Sequence, residues 1–308
     1  MSAISVSQLC KSYDGRRAVQ DLSFEVQKGE TFALLGPNGA GKTTTIEILE
    51  GYRQADSGSV SVLGLDPEKQ AAELKRRTGL VLQTTALEPE LTIRETITAF
   101  ARLYRAPREI AAVLVDVNLA HLQDNRVGNL SGGQKRRLEI ALGIVGDPEL
   151  IFLDEPTTGL DPEARRKIWT LIQRLNNNGC TIVLSSHYMD EVQALASRMA
   201  IMVDGQIAAE GRPRELQRQH CTHSTIRFDA DGKLPAGFPA KLAPITTVHD
   251  GHAELVLEDP APALRILMSW AEAEGHDLSS ISVTRQNLED IYLQLVSQRQ
   301  AKPQGATP

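Results

Sequence analysis

The sequence predicts an α/β fold with a mostly parallel central sheet, an N-terminal antiparallel β subdomain, a helical insert and a small C-terminal α+β domain. Three observations carry this. Short, nearly continuous apolar runs stand at 31–36, 79–83, 150–154 and 180–186, the pattern of strands buried on both faces. Helical stretches separate them. A glycine-rich turn joins the first run to the helix that follows it, as a phosphate-binding loop requires.

Along the chain, residues 4–26 alternate apolar and polar around Asp14-Gly15, which reads as antiparallel strands joined by a turn. The helical stretches lie at 42–50, 92–104, 132–146, 162–177 and 188–197, with Pro162 suited to a first helical turn and Asn178-Gly179 to an end. Between Gln83 and Leu130 the pattern is helical without a strand, so an all-helical insert is expected over about 84–130. These elements form one domain over 1–211. The segment 212–222 is polar and irregular and reads as a linker. A second unit, 223–298, offers strands at 225–228, 245–248 and 253–257 with Asp250-Gly251 as a hairpin turn, then a helix (263–274), a strand (278–283) and a helix (287–297). Residues 299–308 read as a disordered tail.

Composition limits the function. Across 308 residues, 41% are hydrophobic, enough for a sizeable core, and the length favours one large domain plus a smaller one. With 33 basic against 39 acidic residues the net charge is -6, which gives no electrostatic reason for a nucleic-acid partner. Three cysteines, Cys10, Cys180 and Cys221, are spaced as neither a disulfide framework nor a zinc site and suit a reducing cytosol. No basic-then-apolar leader opens the chain and no run of about 18 apolar residues interrupts it, so the reading is of a cytoplasmic protein that does not span a membrane by itself.

The segment Gly36-Pro37-Asn38-Gly39-Ala40-Gly41-Lys42-Thr43-Thr44 stands where an apolar strand gives way to a helix. Glycines there let backbone N–H groups wrap phosphates, the helix N-terminus adds positive potential, Lys42 reaches the outer phosphates, and Thr43 supplies a magnesium ligand. This is the signature of a P-loop NTPase. The strand 150–154 ends in adjacent carboxylates: Asp154 is suited to hold Mg2+, and Glu155 to polarise an attacking water as general base. Gln83 and His187 also follow apolar strands, so four groups meet on the rim where open parallel sheets bind ligands. Gln83 is suited to the magnesium ion or the attacking water, and His187 to the γ-phosphate.

The segment Leu130-Ser131-Gly132-Gly133-Gln134 resembles the signature sequence of ABC ATPases. Physically, Ser131 and the glycines open a helix and leave N–H groups for an anion, and the same serine serves as an ordinary N-cap. The order of motifs also resembles that family over about residues 3–211.

The resemblance implies a head-to-tail homodimer in which the signature of one chain closes over ATP held by the other. Carried over by position, Tyr13 stacks on adenine, Ser131 and Gly133 reach the partner's γ-phosphate, with Gly132 and Gln134 in the same segment, and Asp161 couples the two sites. It further implies ATP and Mg2+ as cofactors and an integral membrane permease encoded as a separate chain. That permease would touch residues 84–92 and hold this chain at the inner face of the plasma membrane.

Residues 126–129, RVGN, lack the glycine-glutamate pair of one large exporter subgroup, while 287–295, NLEDIYLQL, is similar to the ending of daunorubicin-resistance-type export ATPases. Export of a drug, lipid, glycan or ion is the expected work; a soluble ABC ATPase acting on ribosomes or nucleic acid is the alternative. Two other features read blandly: His220, His223, His249 and His252 as loop histidines, and Lys135-Arg136-Arg137 as a solvated helix face.

Overall fold

The strands that lead into Gly36, Asp154 and His187 belong to one sheet, and its order explains why these residues meet. In the computed structural model, which describes residues 2–82, 85–220, 223–230, 233–285 and 288–293, the chain divides into two compact units, 1–213 and 214–308. The first opens with strands β1 (Ser2–Tyr13) and β2 (Arg16–Gln27), antiparallel around Asp14 and Gly15, both at positive φ. Strand β3 (Thr31–Leu35), helix α1 (Lys42–Leu49), β4 (Ser57–Val62), α2 (Ala71–Arg77) and β5 (Thr78–Val81) follow. Then come α3 (Ile93–Ala101), α4 (Ile110–Asp116) and α5 (Gly132–Ile144), with two short 3-10 turns before α5. The unit ends with β6 (Leu150–Asp154), α6 (Pro162–Asn177), β7 (Thr181–Ser186), α7 (Met189–Leu195), β8 (Arg198–Val203) and β9 (Gln206–Gly211).

The main sheet runs β5-β6-β7-β3-β8-β9, parallel except for the antiparallel last pair. Strands β3 and β7 are buried at every residue, as strands covered on both faces must be. A separate antiparallel sheet, β2-β1-β4, packs its apolar side into the same core, where the Phe24 and Phe32 rings stack at 5.3 Å between centroids. The expected α/β architecture, with its antiparallel subdomain, is present. Strands β4, β8 and β9 were not anticipated.

Helix α8 (Pro213–His220) corrects the linker expected over 212–222. Its polarity misled the reading: Arg214, Glu215, Gln217 and Arg218 are good helix formers, Pro213 suits a first turn, and one apolar residue, Leu216, is buried. In the second unit, β10 (Ser224–Asp229), β11 (Thr246–His249), β12 (His252–Leu257) and β13 (Ser282–Arg285) form an antiparallel sheet ordered β11-β12-β10-β13, and helix α9 (Pro260–Glu274) lies between β12 and β13 in the chain. Helix α9 contributes Leu267 and Trp270 to a core with Ile226, Phe228 and Leu255. The last strand starts at Ser282 where 278–283 was expected, because Ser279 N–H and Oγ–H bond to Asp277 and form a turn there. Residues 288–293 are helical; the rest of the anticipated 287–297 helix and the 299–308 tail lie outside the described residues.

Candidate active site

Strands β6, β7 and β3 lie side by side, so Asp154, His187 and Gly36 come to one edge of the sheet. The loop from Gly36 to Thr44 is fixed from beneath by close packing. A Cβ on Gly36 would fall 2.4 Å from Met202 O, and one on Gly41, at φ 95°, would fall 2.3 Å from Ala18 O. Gly39 takes φ 81° with open space on its Cβ side, so only glycine meets this backbone without strain. Ala40 N–H donates to Pro37 O at 3.2 Å and closes the turn. Thr43 is exposed and Thr44 half-buried at the helix start.

Lys42 is buried, and its ammonium donates to Gly36 O at 2.7 Å and Pro37 O at 3.1 Å. Burial pushes its pKa below the ordinary lysine value, while the charges of Glu155 and Asp154 pull it upward. Desolvation wins, and an incoming anion would ease that cost.

Glu155 faces the loop across a cavity of about 670 Å³ lined by Asn38, Gly39, Lys42, Thr43, Thr158 and His187, among others. Its carboxylate accepts from Thr158 Oγ at 3.1 Å and lies 3.2 Å from His187 Nδ1. Ser185 on β7 organises both acids: its hydroxyl donates to Asp154 Oδ1 and also accepts from the Glu155 N–H at 3.1 Å. A buried loop residue, an acid–imidazole pair, a hydroxyl donor and a helix N-terminus thus surround one polar space. The set fits a triphosphate with a divalent cation: amides and an ammonium for anionic oxygens, hard oxygen ligands for the metal.

Other predicted residues lie around this centre. Ser131 caps α5 through a capping box, its Oγ accepting from Gln134 N–H at 3.3 Å and Gln134 Oε1 accepting from Ser131 N–H at 2.8 Å. A Cβ on Gly133 would come 2.9 Å from Ala164 Cβ, so glycine lets the signature helix approach α6. Asp161 caps α6, accepting from the N–H groups of Glu163 and Ala164 at 2.9 Å each, and those bonds hold its carboxyl below the usual range. Tyr13 is partly exposed at the end of β1, with Lys11 and Arg53 over its ring. Gln83 lies outside the described residues. Of the four histidines, His249 and His252 face each other across β11 and β12; no metal cluster of three His, Cys, Asp or Glu occurs among the described residues.

The expectation of a solvated Lys135-Arg136-Arg137 face fails at Arg136, which is buried. Its guanidinium donates to Pro156 O at 2.8 Å, Asp154 O at 2.8 Å, Leu82 O at 2.5 Å and Glu139 at 2.7 Å. A planar fork with five donors meets carbonyls at the ends of β5 and β6, where charge counting alone sees only a basic run. Glu191 was also missed. This buried carboxylate accepts from Thr157 Oγ at 2.8 Å, Ser186 Oγ at 2.6 Å and Trp169 Nε1 at 3.2 Å, tying the loop after Glu155 to the residue before His187. A glutamate at the third position of a helix carries no sequence signal of such a role.

A family model described as ABC transporter matches residues 19–158. The Nod factor export ATP-binding protein I of Burkholderia thailandensis is 37% identical over 303 residues, covering 96% of this chain and 97% of that protein. The chain belongs to the ABC transporter ATP-binding subunits. The protein of the same description from Rhizobium etli is 42% identical over 221 residues, 70% of each chain. Among solved structures, the ADP conformation of MJ1267, an ATP-binding cassette of an ABC transporter, is 28% identical with a TM-score of 0.63, covering 70% of this chain and 92% of that one. The dimeric post-hydrolysis state of the cassette MJ0796 bound to ADP and Pi is 25% identical with a TM-score of 0.61, covering 68% and 98%. This ABC subunit is an ATP-binding ATPase of a transporter.

Proposed function

We propose that this chain powers export through a separate integral membrane permease, working as a homodimer with ATP and Mg2+ at the cavity between Lys42 and Glu155. Export is supported by the relatives reported above, which are named for export rather than for work on ribosomes or nucleic acid. The permease reading draws on the same relatives, and on the absence, among the described residues, of any helix long and apolar enough to cross a membrane. Attachment to a permease would place the chain at the inner face of the plasma membrane. A cassette similar to it forms a dimer, and this chain carries one phosphate loop and one signature, so a shared site needs two copies.

The observation that carries the catalytic reading is the Glu155–His187 pair facing Lys42. Lys42, with the amides of the loop and helix start, would hold the outer phosphates; Thr43 and Asp154 would hold the metal. When bound, magnesium would supply charge neutralisation on the phosphoryl oxygens. Glu155 is placed to take a proton from water, and its neighbour His187 to orient that carboxylate and bond the terminal phosphate. Ser131 and Gly133 of the second copy would face that phosphate, and Asp161 would link the two sites.

Replacing Glu155 by Gln keeps the shape and the hydrogen bond from Thr158 but removes the base. Steady-state phosphate release should fall about 100-fold or more, with retained binding of a fluorescent ATP analogue. Turnover within a few-fold of the parent would remove Glu155 from the role of base.

A further inference from the structure

His187 has to stand at one place to serve both Glu155 and a terminal phosphate, yet it is exposed on the loop after β7. Its Nδ1 lies 3.2 Å from Glu155 Oε1. An exposed imidazole held by one such contact can turn about χ1 to its other staggered positions and leave the cavity.

The loop supplies a second restraint. Neighbouring residues of an extended chain point to opposite sides, but the His187 and Tyr188 rings lie 4.0 Å apart between centroids, tilted by 38°. Ser186 closes the bend that brings them together. Its hydroxyl accepts from the Tyr188 N–H at 3.0 Å and donates to the buried Glu191 carboxyl at 2.6 Å, a side chain-to-backbone turn of the kind serine favours. The Tyr188 ring is held in turn. The guanidinium carbon of Arg165, on α6, is 4.4 Å from the ring centroid, and its Nη1 donates to Asp190 at 3.2 Å. Arg165 Nε is buried and has no hydrogen-bond partner among the described residues, so that part of the guanidinium serves packing. Cation, ring, imidazole and carboxylate form one chain of contacts from Arg165 to Glu155.

We infer that Tyr188 is a positioning residue for His187: its ring, held by Arg165, keeps the imidazole against Glu155 and turned to the cavity. The inference rests on the reading of Glu155 and His187 given above and adds the side chains that make that pair rigid. A flat aromatic face restricts the imidazole where an aliphatic side chain would let it turn, and the attraction of a guanidinium to the ring keeps that face in place. The tyrosine hydroxyl has no part in this, so the role belongs to the ring. Arg165 follows Ala164, the residue that a Cβ on Gly133 would strike, so the support for His187 comes from the helix packed on the signature.

The test is phosphate release by the full chain with magnesium and varied ATP, comparing Tyr188→Leu, which keeps apolar bulk, with Tyr188→Phe, which keeps the ring. Tyr188→Leu should lower kcat about tenfold with KM for ATP within about threefold, and Tyr188→Phe should stay within about twofold of the parent. Parent-like kcat in Tyr188→Leu, or an equal loss in both variants, overturns the role of the ring. Should Tyr188→Leu fail to fold by thermal unfolding, Tyr188→Met replaces it under the same criteria. Arg165→Met, which keeps an unbranched stem without charge, should lower kcat about threefold; parent-like turnover strikes Arg165 from the assignment. On a His187→Ala background, followed by single-turnover hydrolysis of radiolabelled ATP, Tyr188→Leu should change the rate less than about twofold, because the ring acts through the imidazole. A further tenfold loss there would give Tyr188 a role of its own and overturn the positioning. His187→Ala alone turning over like the parent would remove His187 from the reaction, and the inference with it.

Discussion

Two glutamates show how burial sets what a carboxyl group can do here. Glu155 sits at φ 45°, a left-handed conformation costly for a side chain with a Cβ, and is held there by N–H bonds to the carbonyl and hydroxyl of Ser185. That backbone aims the carboxylate at the cavity rather than along the strand. Glu50 has the opposite environment. Burial raises its folded-state pKa from 4.5 to about 8, so between those values the folded chain keeps a proton that the unfolded chain has released. Stability contributed by that proton is fully present below pH 4.5 and is lost as pH rises to about 8, at roughly 1.4 kcal/mol per unit. Glu50→Gln removes the titrating group. Thermal unfolding from pH 5 to 8.5 should therefore show the melting temperature of the parent falling relative to the variant, with the gap closing below about pH 5; parallel curves would place no proton on Glu50.

At the scale of elements, two buried ionisable side chains, Arg136 and Glu191, tie separate elements together. Arg136 joins the signature helix α5 to the ends of β5 and β6, so Arg136→Ala leaves several carbonyls and Glu139 without their donor. The expected loss is roughly 3 kcal/mol, read from the urea midpoint, and a change below about 0.5 kcal/mol would make the tether idle. Glu191 likewise joins the loop carrying Thr157 to β7. Glu191→Ala strands three donors, Thr157, Ser186 and Trp169, and should cost about 1–3 kcal/mol by the same measurement. Phosphate release should slow as well, because Ser186 precedes His187; unchanged turnover would confine Glu191 to stability. The strands that build the site were legible because parallel strands buried on both faces spell themselves as apolar runs, and the glycine loop because its backbone admits little else. What escaped the sequence depends on contacts between distant segments. Arg136 looks like any helix-surface cation until Leu82 and Asp154 come beside it, and helix α8 is held by helix propensity that polarity obscures. Ser185 reads as an ordinary strand residue, and only its neighbour β6 makes it the donor to Asp154.

For the whole molecule, the decisive property is that one chain holds the phosphate loop, the acids and the signature on different elements of one unit, while a similar cassette forms a dimer. The second unit has its own core around Phe228, Leu267 and Trp270, so it folds as a body distinct from the ATPase unit. The central claim is that two copies close around ATP. It is tested most directly by static light scattering of the Glu155→Gln protein with magnesium and ATP, beside the same protein with ATP and excess chelator. A mass that doubles only with magnesium and ATP present is the predicted result; a protein that binds the nucleotide yet keeps the mass of one chain would contradict the shared site.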